Sequence, residues 1–197
     1  VRQSRSKFKG LNGSPVWSPD GSKLAMTLSK DGNPDIYTLN LSDNKLKRIT
    51  NHWSIDTEPA WMPDGKSIVF TSSRSGKPQL YKQAARPGAK PDRLTYEGNY
   101  NASATVSPDG KTVAYVHGEG SVYRIALLEL ATNSSRILTD GPLDESPEYA
   151  PNNRMILFAS QEKREAVLAA VSVDGRQKQR LAFTDGEVRE PAWAAVR

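Results

Sequence analysis

The chain has 197 residues, of which 25% are charged and 37% hydrophobic, and its mean hydropathy is -0.62. These values predict a globular chain of one or two domains with room for a core. They exclude a membrane-spanning helix, because no apolar run approaches the roughly 20 residues that such a helix needs. The absence of cysteine excludes disulfides, thiolate zinc sites and cysteine nucleophiles.

The net charge of +5 is concentrated at the start of the chain. Arg2, Arg5, Lys7 and Lys9 contribute +4 with no acidic residue among them, so the rest of the chain carries only +1. A protein that binds nucleic acid needs basic side chains clustered on a folded face. We therefore expect no nucleic-acid partner, and we interpret residues 1–9 as a basic arm or the outer strand of a preceding blade.

One motif recurs at a nearly constant spacing, which is the mark of a repeat architecture. In each copy an apolar or aromatic residue precedes a turn that contains proline and then aspartate or asparagine. The Asp or Asn residues are spaced 44, 45 and 43 residues apart and are Asp20, Asp64, Asp109 and Asn152. A fifth copy begins at Glu190-Pro191 and breaks off after Trp193.

Each repeat predicts four short strands in chain order. A strand carrying the motif leads into a Pro-Asp-Gly type turn, in which proline presets φ and glycine accepts a positive φ. An almost continuous apolar run, a third strand and a short fourth strand follow. The apolar runs are Leu24–Met26, Ile68–Phe70, Val113–Tyr115 and Ile156–Phe158. Residues 125–131 have some helical character, but their spacing from Tyr123 favours a strand.

Four strands per repeat of this length predict an all-β fold, a β-propeller built from four-stranded antiparallel blades. Helical solenoids are disfavoured because Pro, Gly and β-branched residues interrupt every candidate helix. We expect four complete blades plus one strand at each end. The predicted boundaries are 10–53, 54–98, 99–142 and 143–186 for the blades, 187–193 for a lone inner strand and 194–197 for a tail.

Five segments between the blades carry a family resemblance. Residues 10–15, 28–34, 56–59, 143–147 and 186–191 are similar to the carboxy-terminal propeller of TolB, a periplasmic protein family of the bacterial Tol-Pal system. The likeness covers residues 10–193 and implies part of a six-bladed ring that follows a smaller α/β domain. Because the chain begins at Val1 and holds only four complete blades, we expect an open arc or a part of a larger assembly.

The resemblance also implies a function. It predicts a periplasmic protein that is peripheral to the membrane and not inserted, and that supports outer-membrane integrity and cell division. The implied partners are the lipoprotein Pal, the inner-membrane Tol proteins and the translocation segments of colicins that mimic Pal. Asn12, Ser14, Thr57 and Glu58 match the contact loops of the family, and equivalent places in the other blades are occupied by Asn101, Asp144, Glu145 and Arg189.

The charge pattern is consistent with a binding surface at these loops. The windows 11–16, 55–60, 99–104, 143–148 and 187–192 carry a net charge of -6, whereas the rest of the chain carries +11. Clustered carboxylates are destabilising unless they are hydrogen-bonded or matched by positive groups. They either accept backbone N–H bonds at the strand entrances or form an acidic binding mouth. Calcium in the channel would also relieve the repulsion, although the expected cofactor is none.

Other conspicuous residues favour structural roles. Trp17, Trp61, Tyr149 and Trp193 recur at one blade position and are expected to pack between blades. His52 is expected in a turn beside Trp53 and His117 at the end of a strand before Gly118, and two unrelated histidines do not indicate a metal site. No Gly-x-Ser-x-Gly motif is present, so no catalytic residue is predicted. The alternatives are a propeller detached from a prolyl-oligopeptidase-like serine hydrolase and a propeller lyase for acidic sugars, which the acidic windows disfavour.

Overall fold

The computed structural model describes residues 10–162, 165–181, 188 and 190–193. This part of the chain consists of strands and the loops between them, arranged as four antiparallel four-stranded sheets. The all-β propeller-blade fold expected from the repeat is therefore confirmed. The chain divides into two compact units, residues 1–93 and 94–197.

The first unit contains the first and second sheets, each with its strands in sequence order. The first sheet consists of β1 (Asn12–Trp17), β2 (Lys23–Leu28), β3 (Asp35–Asn40) and β4 (Leu46–Arg48). The second sheet consists of β5 (Asp56–Trp61), β6 (Ser67–Ser72), β7 (Gln79–Ala84) and β8 (Asp92–Arg93). Each sheet is a meander of hairpins, which local turns are sufficient to specify.

The second unit repeats this order. The third sheet consists of β9 (Tyr100–Val106), β10 (Thr112–Glu119), β11 (Val122–Glu129) and β12 (Ser134–Ile137). The fourth sheet consists of β13 (Asp144–Tyr149), β14 (Met155–Glu162), β15 (Glu165–Ser172) and β16 (Lys178–Leu181). Strand β11 includes Ile125–Glu129, so the strand interpretation of that segment is correct.

The repeated turn has the geometry that its residues predict. Gly21, Gly65, Gly110 and Asn153 occupy the same place with φ between 60° and 70°. The N–H of Gly21 donates to the carbonyl of Ser18 at 2.8 Å, and Asp20 Oδ1 accepts from the N–H of Ser22 at 3.0 Å. The aspartate thus bonds the backbone two residues later while glycine takes the left-handed conformation.

This geometry predicts the effect of a single methyl group. Gly21→Ala forces an alanine into the left-handed region, at a cost of roughly 1–2 kcal/mol. Gly13→Ala is the matched control, because Gly13 has no positive φ and a Cβ there meets no atom within 4 Å. Urea unfolding of both variants checks the prediction, and equal stabilities would contradict it.

The core of the first unit lies between its two sheets. Ala25, Ile36 and Ile49 of the first sheet and its following segment pack in one cluster with Trp61 and Phe70 of the second sheet. Ile36 and Phe70 have no exposed surface. The apolar side chains of the two facing sheets exclude water from the space between them. This burial stabilises the two sheets together, because neither sheet alone could bury its apolar face.

The second unit is built in the same way. Its main cluster joins Val116, Ile125 and Leu138 to Tyr149 and Phe158 of the fourth sheet. Tyr149 occupies the motif position of Trp61, and in both units this aromatic side chain packs against the preceding sheet. The expected packing role is therefore confirmed for these two residues.

Trp17 and Trp193 occupy the same motif position but are more exposed. Trp17 is 63% exposed and Trp193 39% exposed. The first sheet has no preceding sheet among the described residues, so the indole of Trp17 lacks the contacts that bury Trp61. Residues 190–193 do not pair in a strand, although Glu190 retains the left-handed φ of the other copies.

No helix within the described residues is both long enough and apolar enough to cross a membrane. The predicted arm at residues 1–9 and the tail at 194–197 lie outside the described residues.

Candidate functional site

The first strand of each sheet contains a bulge with a left-handed residue. Register shifts occur between Gly13 and Val16 in β1 and at the same place in β5, β9 and β13. The residues with φ between 46° and 53° at this position are Ser14, Glu58, Ser103, Ser146 and Glu190. All but Ser103 precede proline, before which this conformation is rare. Such backbone strain is concentrated at functional sites. The bulges are therefore the candidate site in each unit.

Glu58, at the bulge of β5, makes hydrogen bonds with residues of both sheets of the first unit. Its N–H donates to Thr27 Oγ1 of the first sheet at 3.2 Å, and its Oε2 accepts from Thr71 Oγ1 at 2.8 Å. The residue is half-buried. The bond to Thr27 thus fixes the backbone of Glu58, and the bond from Thr71 fixes its carboxylate, at a position that solvent still reaches.

Glu148 lies near the bulge of the fourth sheet. Burial raises the pKa of the Glu148 carboxyl, and the hydrogen bond that Thr105 Oγ1 donates at 3.4 Å opposes this rise. The indole Nε1 of Trp193 donates to the Glu148 carbonyl at 3.2 Å. The side chain is held between the first strands of two neighbouring sheets, so it supports their spacing.

Three buried polar residues lie at the start of the first strands of the second, third and fourth sheets. Asp56, Asn101 and Asp144 occupy equivalent places and are at most 1% exposed. Asp56 Oδ2 pairs with the Arg74 guanidinium at 2.8 Å, and Asn101 Oδ1 lies 2.8 Å from His117 Nδ1. Ser160 Oγ donates to Asp144 Oδ1. A buried carboxylate needs such partners to remain charged.

The site residues predicted from the sequence differ in how exposed they are. Asn12, Ser14 and Glu145 are exposed, and Thr57 and Glu58 are half-buried. Asn101 and Asp144 are buried, so a partner would reach them only through an opening in the surface. Arg189 lies outside the described residues.

The acidic pattern of the windows includes groups whose charge is compensated inside the protein. Asp56 belongs to a window counted as acidic, yet its charge is balanced by Arg74, whose side chain is 14% exposed. Sequence reasoning missed Arg74 because it lies 18 residues from Asp56. Its only sequence signal is its place two residues after Ser72, the strand partner of Asp56.

Both histidines make hydrogen bonds within the protein. His52 Nδ1 accepts a hydrogen bond from the Ser54 N–H at 3.0 Å, and His117 is paired with Asn101. Within the residues that the structure describes, no three His, Asp or Glu side chains converge to hold a metal ion. Calcium in a channel remains an untested prediction.

The sequence matches a family model and curated relatives. The model of the TolB β-propeller domain matches residues 1–197. The Tol-Pal system protein TolB of Xanthomonas campestris pv. campestris strain B100 is 52% identical over 117 residues, which are 58% of this chain and 27% of that protein. TolB of Xanthomonas oryzae pv. oryzae strain PXO99A is 52% identical over 115 residues, covering 57% and 26%. The aligned part is about a quarter of these relatives.

Solved structures of TolB proteins are also similar to this chain. TolB from Acinetobacter baumannii has a TM-score of 0.87 at 46% identity and covers 94% of this chain and 47% of that one. A putative TolB from Agrobacterium tumefaciens has a TM-score of 0.78 at 26% identity, covering 88% and 62%. A puromycin-hydrolyzing peptidase from Mycobacterium tuberculosis, at 16% identity and a TM-score of 0.69, covers 87% and 28% and shares the fold alone.

The family match spans the four repeats, the turns and the bulged first strands described above. The chain therefore belongs to the TolB β-propeller domain family.

Proposed function

We propose that this chain is a protein-docking propeller of the Tol-Pal system in the periplasm, where it binds the lipoprotein Pal. Inner-membrane Tol proteins and the translocation segments of colicins are the further partners of the proposal. The aligned part of the chain covers 27% of the Xanthomonas campestris relative and 47% of the Acinetobacter structure, so the activity of the whole protein is part of the proposal.

The observation that supports docking is the fixed geometry of the first-unit bulges. Ser14 and Glu58 are held in the left-handed region, and two threonines orient Glu58. A surface that is ordered before binding loses less conformational entropy when a partner docks. Asn12 and Thr57 lie near these residues in sequence. In the second unit Glu145 is a separate proposed contact, and Arg189 stays a prediction from the sequence.

We propose no catalytic role. Both histidines make structural hydrogen bonds, whereas acyl transfer needs a base placed beside a nucleophile. The family match favours docking over the hydrolase alternative. A lyase for acidic sugars is not supported, since the solved oligogalacturonate lyase shares 14% identity and hence the fold alone.

Calorimetric titration with purified Pal tests the proposal. Glu58→Gln keeps the size of the side chain and removes its charge, and we expect at least tenfold weaker binding, which corresponds to about 1.4 kcal/mol. Thr71→Val removes the hydroxyl that donates to Glu58 Oε2 and should weaken binding less, because the carboxylate remains.

Glu129→Gln is the matched control, because Glu129 is an exposed acid that pairs with Thr112, at the opposite end of β10 from the partner of Asn101. It should bind Pal like the parent chain. Equal affinity of the Glu58→Gln variant and the parent chain, with unchanged melting temperatures, would refute docking at Glu58. Failure of the parent chain to bind Pal would refute the proposed function itself.

A further inference from the structure

The second unit contains a partly open cavity of about 170 Å³ beside β13. Its lining includes Asp144, Phe158, Ser160, Ala169, Asp140 and Lys178. Asp144 is 1% exposed, and its Oδ2 has no hydrogen-bond partner among the described residues. A buried carboxylate oxygen without a donor is costly, so this cavity has an unmet requirement for a donor.

The second sheet shows what fills the equivalent space. There the Arg74 guanidinium bonds Asp56 Oδ2 at 2.8 Å and Ser72 Oγ at 2.8 Å. It also lies 5.4 Å from the ring centroid of Phe70 and 5.0 Å from that of Tyr81. A carboxylate, a hydroxyl and two aromatic faces thus surround one planar cation, which is a favourable environment for arginine.

Strand register identifies the matching residues of the fourth sheet. Asp56 pairs with Ser72 as Asp144 pairs with Ser160, and Phe70 pairs with Tyr81 as Phe158 pairs with Ala169. The four corresponding residues, Asp144, Phe158, Ser160 and Ala169, all line the cavity. The fourth sheet therefore retains the carboxylate, the hydroxyl and one aromatic ring of the Arg74 environment.

Two differences from the second sheet accompany the space. Ala169 stands where the second sheet has Tyr81, so the volume of one ring is absent. Arg74 lies in the loop that follows β6, whereas β14 continues as a strand past Ser160 to Glu162. Gly141 leaves room for the carboxylate, since a Cβ at Gly141 would lie 2.4 Å from Asp144 Oδ1.

The two cationic residues that line the cavity, Lys178 and Arg180, have partners other than Asp144. Lys178 Nζ contacts Asp140 Oδ1 at 2.7 Å, and Arg180 lies 3.9 Å from Glu165 Oε2. These pairs leave Asp144 as the lining carboxylate without a cationic partner in the part of the chain that the structure describes. A metal ion is a poor match, because no group of three ligands converges in those same residues.

We propose that this cavity binds a guanidinium group carried by an external ligand, in the manner in which the second sheet binds its own Arg74. The guanidinium donates to Asp144 Oδ2 and lies over the Phe158 ring. The site goes beyond Pal docking at Glu58, because it is specific for an arginine-like cation and is formed by the fourth sheet.

Methylguanidinium chloride is the probe, and the shift of backbone amide signals in NMR spectra of the whole chain is the readout. We expect saturable shifts at residues around Asp144, at concentrations well below those that unfold the protein. Urea, which has a similar shape and no charge, should give no saturable shift. No saturation with methylguanidinium, or an equal response to urea, would overturn the proposal.

Two variants locate the binding. Asp144→Asn removes the charge and should weaken binding at least tenfold, and Ala169→Tyr restores the ring of the second sheet and should also weaken it by filling the cavity. Asp174→Asn is the matched control, because Asp174 is an exposed aspartate in the turn before β16 and does not line the cavity, and it should bind normally. Normal binding by either of the first two variants, once its melting curve shows it folded, would also overturn the proposal. Pal is absent from this experiment, so its failure would leave docking at Glu58 standing.

Discussion

Arg74→Met is expected to destabilise the protein by about 3–5 kcal/mol, since removing one partner of a buried ion pair leaves an uncompensated charge. Asp56 has no exposed surface, and its Oδ2 bonds Arg74. The methionine would retain some packing on Phe70 and Tyr81 but would supply no donor. Urea unfolding followed by tryptophan fluorescence measures the loss.

The double variant Asp56→Asn with Arg74→Met is the control for charge. It removes both charges together, so most of the lost stability should return. A second control, Arg48→Met, affects the ion pair with Asp35 in the first sheet, where Thr50 Oγ1 and the His52 N–H also donate to the carboxylate. It should cost less than Arg74→Met. If the double variant were as unstable as Arg74→Met, the charge argument would be wrong.

Trp61→Ala is the second change with a large expected effect. Trp61 is 8% exposed and packs with Ala25, Ile36 and Ile49 of the preceding sheet. Removing a buried tryptophan side chain costs about 3–5 kcal/mol, because the cavity left behind closes only partly. For a chain of this size the melting temperature should fall by about 10 °C.

The chain provides its own control for this change. Trp17 occupies the same motif position but is 63% exposed, and Trp17→Ala should alter stability by less than about 0.5 kcal/mol. The comparison holds residue type and motif constant and varies only the preceding sheet. Equal losses for the two variants would show that packing on the preceding sheet is not what Trp61 contributes.

Periodicity was sufficient to predict the blades, because each strand and turn depends on neighbouring residues. The Pro-Asp-Gly turns, the apolar second strands and β11 form as their local sequence predicts. The different exposure of Trp17 and Trp61 could not be read from the motif, because it depends on whether another sheet packs against that face.

The candidate site was harder to predict, since it depends on long-range contacts. Sequence could place Glu58 in a loop, but not show that Thr27 and Thr71 bond it. The charge pattern of the sequence placed Asp56 and Asp144 in the predicted acidic binding surface, although both side chains are buried. The cavity beside Asp144 depends on the register that aligns Ala169 with Phe158, and no local pattern signals that alignment.

The left-handed residue at each bulge has a consequence for how this protein would respond to selection. Glycine adopts that conformation without steric cost, yet these places carry serine or glutamate. Exchanging them for glycine would relieve the steric cost but would raise the conformational entropy of the unfolded chain. At Glu58 it would also remove the carboxylate that accepts from Thr71, so neither residue type gains stability without a loss.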